Sequence, residues 1–255
     1  VIPYTLLLNR EIYVPSECPS LQTAITKAID GDTIVVEDGI YTGKENTITD
    51  LAGKSLKIVS KSNDPKKTIF DFSYKYSLLN VSRPDVENIY FKGIGFRNSS
   101  QDALFFDGRD IRQTTLNKCD FENIKWFNSA YSNPNLNTVM QAFYLRNALI
   151  TDCNFENISG IIANGEVVLA DSVFNNCQSP LALHGGSVNA KLCEFNNGKG
   201  GIGGVWGKFR IEQCSYVGNY VKFGSGLVPL GFGSDTQVSK CLFAGNLCDG
   251  AVIFN

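Results

Sequence analysis

The sequence predicts an all-β chain wound as a right-handed parallel β-helix, a solenoid, with an N-terminal capping α-helix. Three observations carry this. A short phrase recurs: Cys119-Asp120-Phe121-Glu122-Asn123, Cys153-Asn154-Phe155-Glu156-Asn157, Ser172-Val173-Phe174-Asn175-Asn176 and Cys193-Glu194-Phe195-Asn196-Asn197, with looser copies around Phe96, Tyr216 and Phe243. The aromatics Phe155, Phe174, Phe195 and Tyr216 recur at a nearly constant interval, and the steps before and after them are longer. That is the mark of coils whose loops vary and whose core does not. Further β-runs precede the phrases, such as Gly160-Ile161-Ile162-Ala163 and Leu181-Ala182-Leu183-His184, usually followed by a glycine that marks a corner.

The elements follow in order. Leu21, Ala24, Ile25, Ala28 and Ile29 form one apolar stripe at helical spacing, with Ser20 as N-cap and Gly31 beyond the end. The segment 18–31 is therefore expected to cap the open apolar end of the solenoid, which otherwise exposes strand edges. Residues 33–255 form the coils, and 1–255 is one domain. Within each phrase Cys and Phe are two apart, so both face inward, and stacking builds a Cys column and a Phe column. The Asn after Phe belongs at a bend, since it tolerates left-handed backbone. The long step from Phe121 to Phe155 places an inserted surface loop near 124–141, carrying Trp126, Phe127 and Tyr131.

Composition narrows the function classes. Hydrophobic residues reach 43% and charged residues only 19%, with 24 glycines, which suits a turn-rich β fold with a sizeable core. Net charge is −2 and no Lys/Arg run occurs, which argues against nucleic acid as partner. No apolar stretch approaches a membrane span, and Val1 to Leu8 is too short and lacks the basic start of a signal peptide. The sequons at Asn80, Asn98 and Asn157 are glycan acceptors if the chain is secreted. The cysteines of the inner column are expected to be free thiols packed as small hydrophobes, because parallel in-register side chains suit a disulfide poorly. Cys18, Cys177 and Cys248 lie off that column and are the expected disulfide partners.

The run Ser20-Leu21-Gln22-Thr23-Ala24-Ile25, then Gly31-Asp32-Thr33-Ile34-Val35-Val36, Gly39-Ile40-Tyr41 and Lys54-Ser55-Leu56-Lys57-Ile58, resembles the start of pectin-lyase-like right-handed β-helix proteins. The later coils also resemble those of polymorphic outer-membrane-protein adhesins. The resemblance covers 18–61 and 88–255 and implies a fold, not an activity, since that superfamily holds enzymes, adhesins and structural proteins. The Asn-Thr-Asp, Asp-Asp, Gly-His-Gly and Arg-x-Lys motifs of its polygalacturonate hydrolases are missing. Gln101-Asp102-Ala103-Leu104 echoes one methylesterase motif without the second.

Two constellations remain as candidates. Asp107, Arg109, Arg146, His184 and Trp206, with Trp126 from the insertion, read as a carbohydrate-binding row. Asp152 and Asp171, both just before a phrase, would stand on adjacent coils about 5 Å apart as oxygen ligands for calcium; a solvated polar row is the alternative, and no other cofactor is implied. The functional expectation is a secreted, extracellular or cell-surface structural or adhesive protein, self-associating end to end. A polysaccharide-active lyase or hydrolase and a glycan-binding module are the alternatives.

Overall fold

The computed structural model describes residues 10–79, 86–101, 106–108, 111–126, 143–221 and 235–248, with the side chains of 100, 101, 106–108, 125, 126, 179, 205, 206 and 248 excepted. Every strand pairing among them is parallel, and each strand pairs with strands one coil away, so the chain is a β-solenoid. One sheet runs from Glu11–Val14 through Thr33–Val36, Leu56–Ser60, Val86–Lys92, Ile111–Asn117, Ala148–Thr151, Gly160–Ala170, Ser179–Lys191 and Ile202–Glu212 to Asp235–Ser239. A second runs from Gly39–Tyr41 through Thr68–Asp71, Gly95–Gln101, Asp120–Trp126, Asn154–Glu156, Val173–Asn175, Glu194–Asn196 and Ser215–Val217 to Leu242–Ala244. Tyr220–Val221 pairs with Leu247–Cys248 as a third, short sheet.

The long strands of the middle coils bend at glycines. Gly165 and Gly186 have φ of +106° and +105°, and a Cβ on Gly186 would collide with the carbonyl oxygen of Gly165. Each middle coil therefore shows three β-runs and three bends, one more of each than the sequence pattern requires.

The aromatic of each phrase stacks on the next. Tyr41, Phe70, Phe96, Phe121, Phe155, Phe174, Phe195, Tyr216 and Phe243 form one ladder with ring centroids 4.6 to 5.8 Å apart. Its spacing is that of the strands themselves, which is why an identical residue at an identical coil position packs well. The sequence pattern begins this ladder at Phe96; Tyr41 and Phe70 extend it towards the N-terminus.

The helix is shorter than the apolar stripe implies. It spans Leu21–Lys27, with the Ser20 Oγ accepting from the Thr23 N–H, and Ala28 rather than a glycine caps its end. Leu21, Ala24 and Ile25 join Ile12 and Val14 of the strand Glu11–Val14 in the core, a strand the pattern does not resolve. Asp32 ties these pieces together. Its fully buried carboxylate accepts from the Arg10 backbone N–H, from Arg10 Nε and Nη2 at 3.2 and 2.8 Å, and from the Ile29 N–H.

The disulfide expectation fails for Cys18 and Cys177, which are free and buried. Cys177 occupies an inner column between Ile158 and Gly198, where its Sγ donates to the carbonyls of Asn175 and Phe155 instead of facing another thiol. The side chain of Cys248 lies outside the described residues. Of the insertion, the backbone is described to Trp126, which ends a strand in register with Gln101; Phe127 and Tyr131 lie outside the described residues.

Candidate functional site

Two corners flank the second sheet, and both are left-handed. The residue before each phrase has φ between +49° and +55° at Lys118, Asp152, Asp171, Leu192, Gln213 and Lys240. The Asn after each aromatic has φ between +51° and +59° at Asn98, Asn123, Asn157, Asn176 and Asn197, and Gly218 and Gly245 take its place later. This changes the meaning of the Asp pair. Asp152 and Asp171 are exposed corner residues of a type that tolerates left-handed backbone, in a column with Lys118 before them and Leu192 after. Among the described residues, no group of three or more His, Cys, Asp or Glu could hold a metal ion.

The carbohydrate row is broken by register. Asp107 pairs with Tyr144, whose column continues through Ile162, Ala182 and Gly203. Arg146 follows Leu145, and His184 follows Leu183, which lies in register with Leu145 through Ala163. His184 therefore belongs outside the column of Asp107, and its partner is Val205 rather than Trp206. Arg109 lies outside the described residues, and only the backbone of Asp107, Trp126 and Trp206 is described. What the fold does bring together is Arg146, Asn164 and His184, all exposed, at the same point of three successive coils. Asn164 escapes the sequence pattern because its coil, from Phe155 to Phe174, is shorter than its neighbours, so counting from the phrase misplaces it.

The sequons have a structural role. Asn98 Nδ2 lies 3.2 Å from each carboxylate oxygen of Asp71, Asn123 Nδ2 reaches Asn98 Oδ1 at 3.4 Å, Asn157 Nδ2 reaches Asn123 Oδ1 at 3.2 Å, and Asn176 Nδ2 bonds to Asn157 Oδ1. A glycan on Asn98 or Asn157 would take one hydrogen from the nitrogen that makes these bonds. Asn80 lies outside the described residues.

Perturbed acidities lie along the same ladders and ion pairs. Burial pushes the Asp71 carboxyl up, but hydrogen bonds from the Ser73 N–H, Asn98 and Arg97 outweigh it, and the group sits below the ordinary carboxylate range. Asp32 is held low in the same way by Arg10 and the Ile29 N–H against its own burial, and Asp235 by its hydrogen bond from Arg210. Burial raises Tyr41 and Cys177 to about 12, and it pushes Tyr216 up as well. Among the described residues the one carboxyl raised is Asp120, by burial and by Asp64 and Glu122, with Lys66 opposing. It faces out of the second sheet, and the sequence offers no sign of it beyond its place between Cys and Phe.

No family model matches the chain, and no curated protein does. The solved structure of rice weevil pectin methyl esterase is similar over 94% of this chain and 89% of that one, at 12% identity and a TM-score of 0.35. A likeness so slight carries no functional weight, and the solenoid rests on the strand register. Among the described residues no helix is long and apolar enough to cross a membrane.

Proposed function

We propose that the chain is a secreted or cell-surface structural or adhesive protein that uses a right-handed β-helix, capped by the helix Leu21–Lys27, as a rigid spacer joined end to end. The observation that carries this reading is where the polar groups go. Charged side chains bridge successive coils, as in Lys61–Glu37 at 2.8 Å, Arg97–Asp71 at 2.9 Å, Arg112–Glu87 at 3.0 Å and Arg210–Asp235 at 2.9 Å. Apart from Asp120 on the outer face of the second sheet, the shifted carboxyls belong to such bridges and the raised thiols to the interior, where a catalytic centre would instead gather them in a cleft. End-to-end joining would continue the parallel register at Asp235–Ser239 and Leu242–Ala244, the last strands described in the two long sheets.

Negative-stain electron microscopy of the purified chain over a concentration series tests this. Rods that lengthen with concentration are expected; rods of one length at every concentration would remove end-to-end assembly.

Glycan binding is the second reading, favoured by Arg146, Asn164 and His184 on successive coils beside the Tyr144–Ile162–Ala182 column. Coils about 4.8 Å apart match the scale of one sugar residue per coil. A polysaccharide panel checks it: Arg146→Ala with His184→Ala is expected to lose retention, and equal retention would discard this reading.

A further inference from the structure

The thiols of the inner column are expected from the sequence to be free and packed as small hydrophobes, and at the N-terminal end of the column they are free and buried. Cys119 and Cys153 are 0% and 2% exposed, and Ser172 separates them from the rest. Beyond Ser172, the column reads Cys193, Cys214 and Cys241 on three successive coils, fixed by the pairing of Glu194 with Ser215 and of Ser215 with Leu242. Adjacent Cα atoms are then about 4.8 Å apart, inside the range a disulfide spans, and the partly buried Cys241 is the member of the column best able to leave the in-register geometry that suits such a bond poorly. Cys193 and Cys214 are buried, whereas Cys241 is only partly buried.

We propose that Cys241 and Cys214 form a peroxide-reactive pair that closes to a disulfide and fastens the coil 235–248 to the coil before it. A peroxide oxidises the accessible Cys241 thiol to a sulfenic acid and is itself reduced, leaving as water. Cys214 Sγ then attacks Cys241 Sγ. The S–O bond breaks, the Cys214 proton leaves with the hydroxyl as a second water, and the S–S bond forms.

The surroundings suit these roles. The neighbouring Cys193 thiol holds the Cys214 thiol below its ordinary range against the effect of burial, while burial raises Cys241. The lowered Cys214 suits the attacking thiol, and it is partial exposure rather than acidity that opens Cys241 to peroxide. The coil to be fastened is the more loosely packed one: Val238, Cys241 and Phe243 are only partly buried, where their counterparts Ile211, Cys214 and Tyr216 are buried.

The test treats the folded, reduced chain with hydrogen peroxide, blocks remaining thiols with N-ethylmaleimide after denaturation, and maps linked peptides by mass spectrometry. The expected result is a Cys214–Cys241 link, with the loss of two alkylatable thiols per chain and none from Cys119 or Cys153. In Cys214→Ser, the sulfenic acid on Cys241 should persist and be trapped by dimedone. Serine is already accommodated in this column at Ser172, so the variant is expected to fold, and its circular dichroism checks that. A Cys193–Cys214 or Cys241–Cys248 link overturns the proposal, as does a Cys241 that stays reduced or runs to sulfinic acid while Cys214 remains free.

Discussion

The two corners of the second sheet make the same backbone turn with different chemistry. At both, the corner N–H bonds to a carbonyl of the next coil: Asp152 N to Ala170 O at 3.2 Å and Leu192 N to Glu212 O at 3.2 Å on one side, Asn157 N to Asn175 O at 3.1 Å and Asn176 N to Asn196 O at 2.9 Å on the other. At the Asn corner, the corner residue itself adds a side-chain bond along the solenoid. At the other corner, a side-chain bond comes instead from the next residue inward. The Sγ of Cys119, Cys153, Cys193, Cys214 and Cys241 donates to the carbonyl two residues back at 3.2 to 3.5 Å, and Ser172 Oγ does so at 2.8 Å. The first corner therefore accepts Lys, Asp, Leu or Gln, and the second keeps Asn until glycine replaces it. Left-handed backbone does not by itself select a residue; the hydrogen bond made there does.

The largest effect separating the corners is expected from Asn157→Val. A β-branched residue in left-handed backbone costs roughly 1–2 kcal/mol, and the two ladder bonds lost add about 1 kcal/mol each, for about 3–4 kcal/mol in all. Urea unfolding followed by circular dichroism should show the midpoint falling accordingly. The control is Asp152→Asn in the other corner, where no comparable change is expected. Equal losses at both would mean that the amide ladder does not distinguish them.

Next comes the carboxylate on which the ladder ends. The amides of Asn98, Asn123, Asn157 and Asn176 all point their nitrogens towards Asp71, so its charge terminates an aligned chain of dipoles. The folded Asp71 carboxyl titrates below its unfolded value. Its contribution is thus fully present above about pH 3.9 and is lost as pH falls through the lower folded value. Asp71→Asn should cost about 1–2 kcal/mol at neutral pH. In paired urea titrations the gap to the native chain should close under acid. A gap independent of pH would assign the loss to shape rather than charge.

What the sequence makes legible follows from this difference. The Phe column and the Asn corner recur because each residue bonds or stacks with its own kind one coil away, so Phe155 and Asn157 can be read from the phrase. The other corner reads as an outward strand row, and Asp152 and Asp171 as a calcium pair, because nothing at those positions repeats. The constraint there sits one residue on, at Cys153 and Ser172, where it looks like apolar filling. The row of Arg146 and His184 is half visible. The coil from Phe155 to Phe174 is shorter than the one from Phe174 to Phe195, and bulges near Gly160 and Ala163 absorb the difference. Asp107 and Trp206 fall in other columns by direct pairing, since Asp107 stands opposite Tyr144 and His184 opposite Val205.

The smallest effect has the opposite sign. Leu192 holds left-handed backbone at φ +55° with 47% of its surface exposed, between Asp171 and Gln213 in its column. Replacing it with glycine removes the steric cost of roughly 1–2 kcal/mol, while the freer unfolded chain returns about 0.5–1 kcal/mol of it. A net gain of about 0.5–1 kcal/mol should appear as a higher urea midpoint with an unchanged slope. Asn197→Gly, at the same height on the other corner, starts from a residue already suited to this backbone and should gain nothing. A loss at Leu192→Gly would show that the leucine side chain packs against the solenoid wall strongly enough to hold its corner, and the contrast between the corners would then be one of degree.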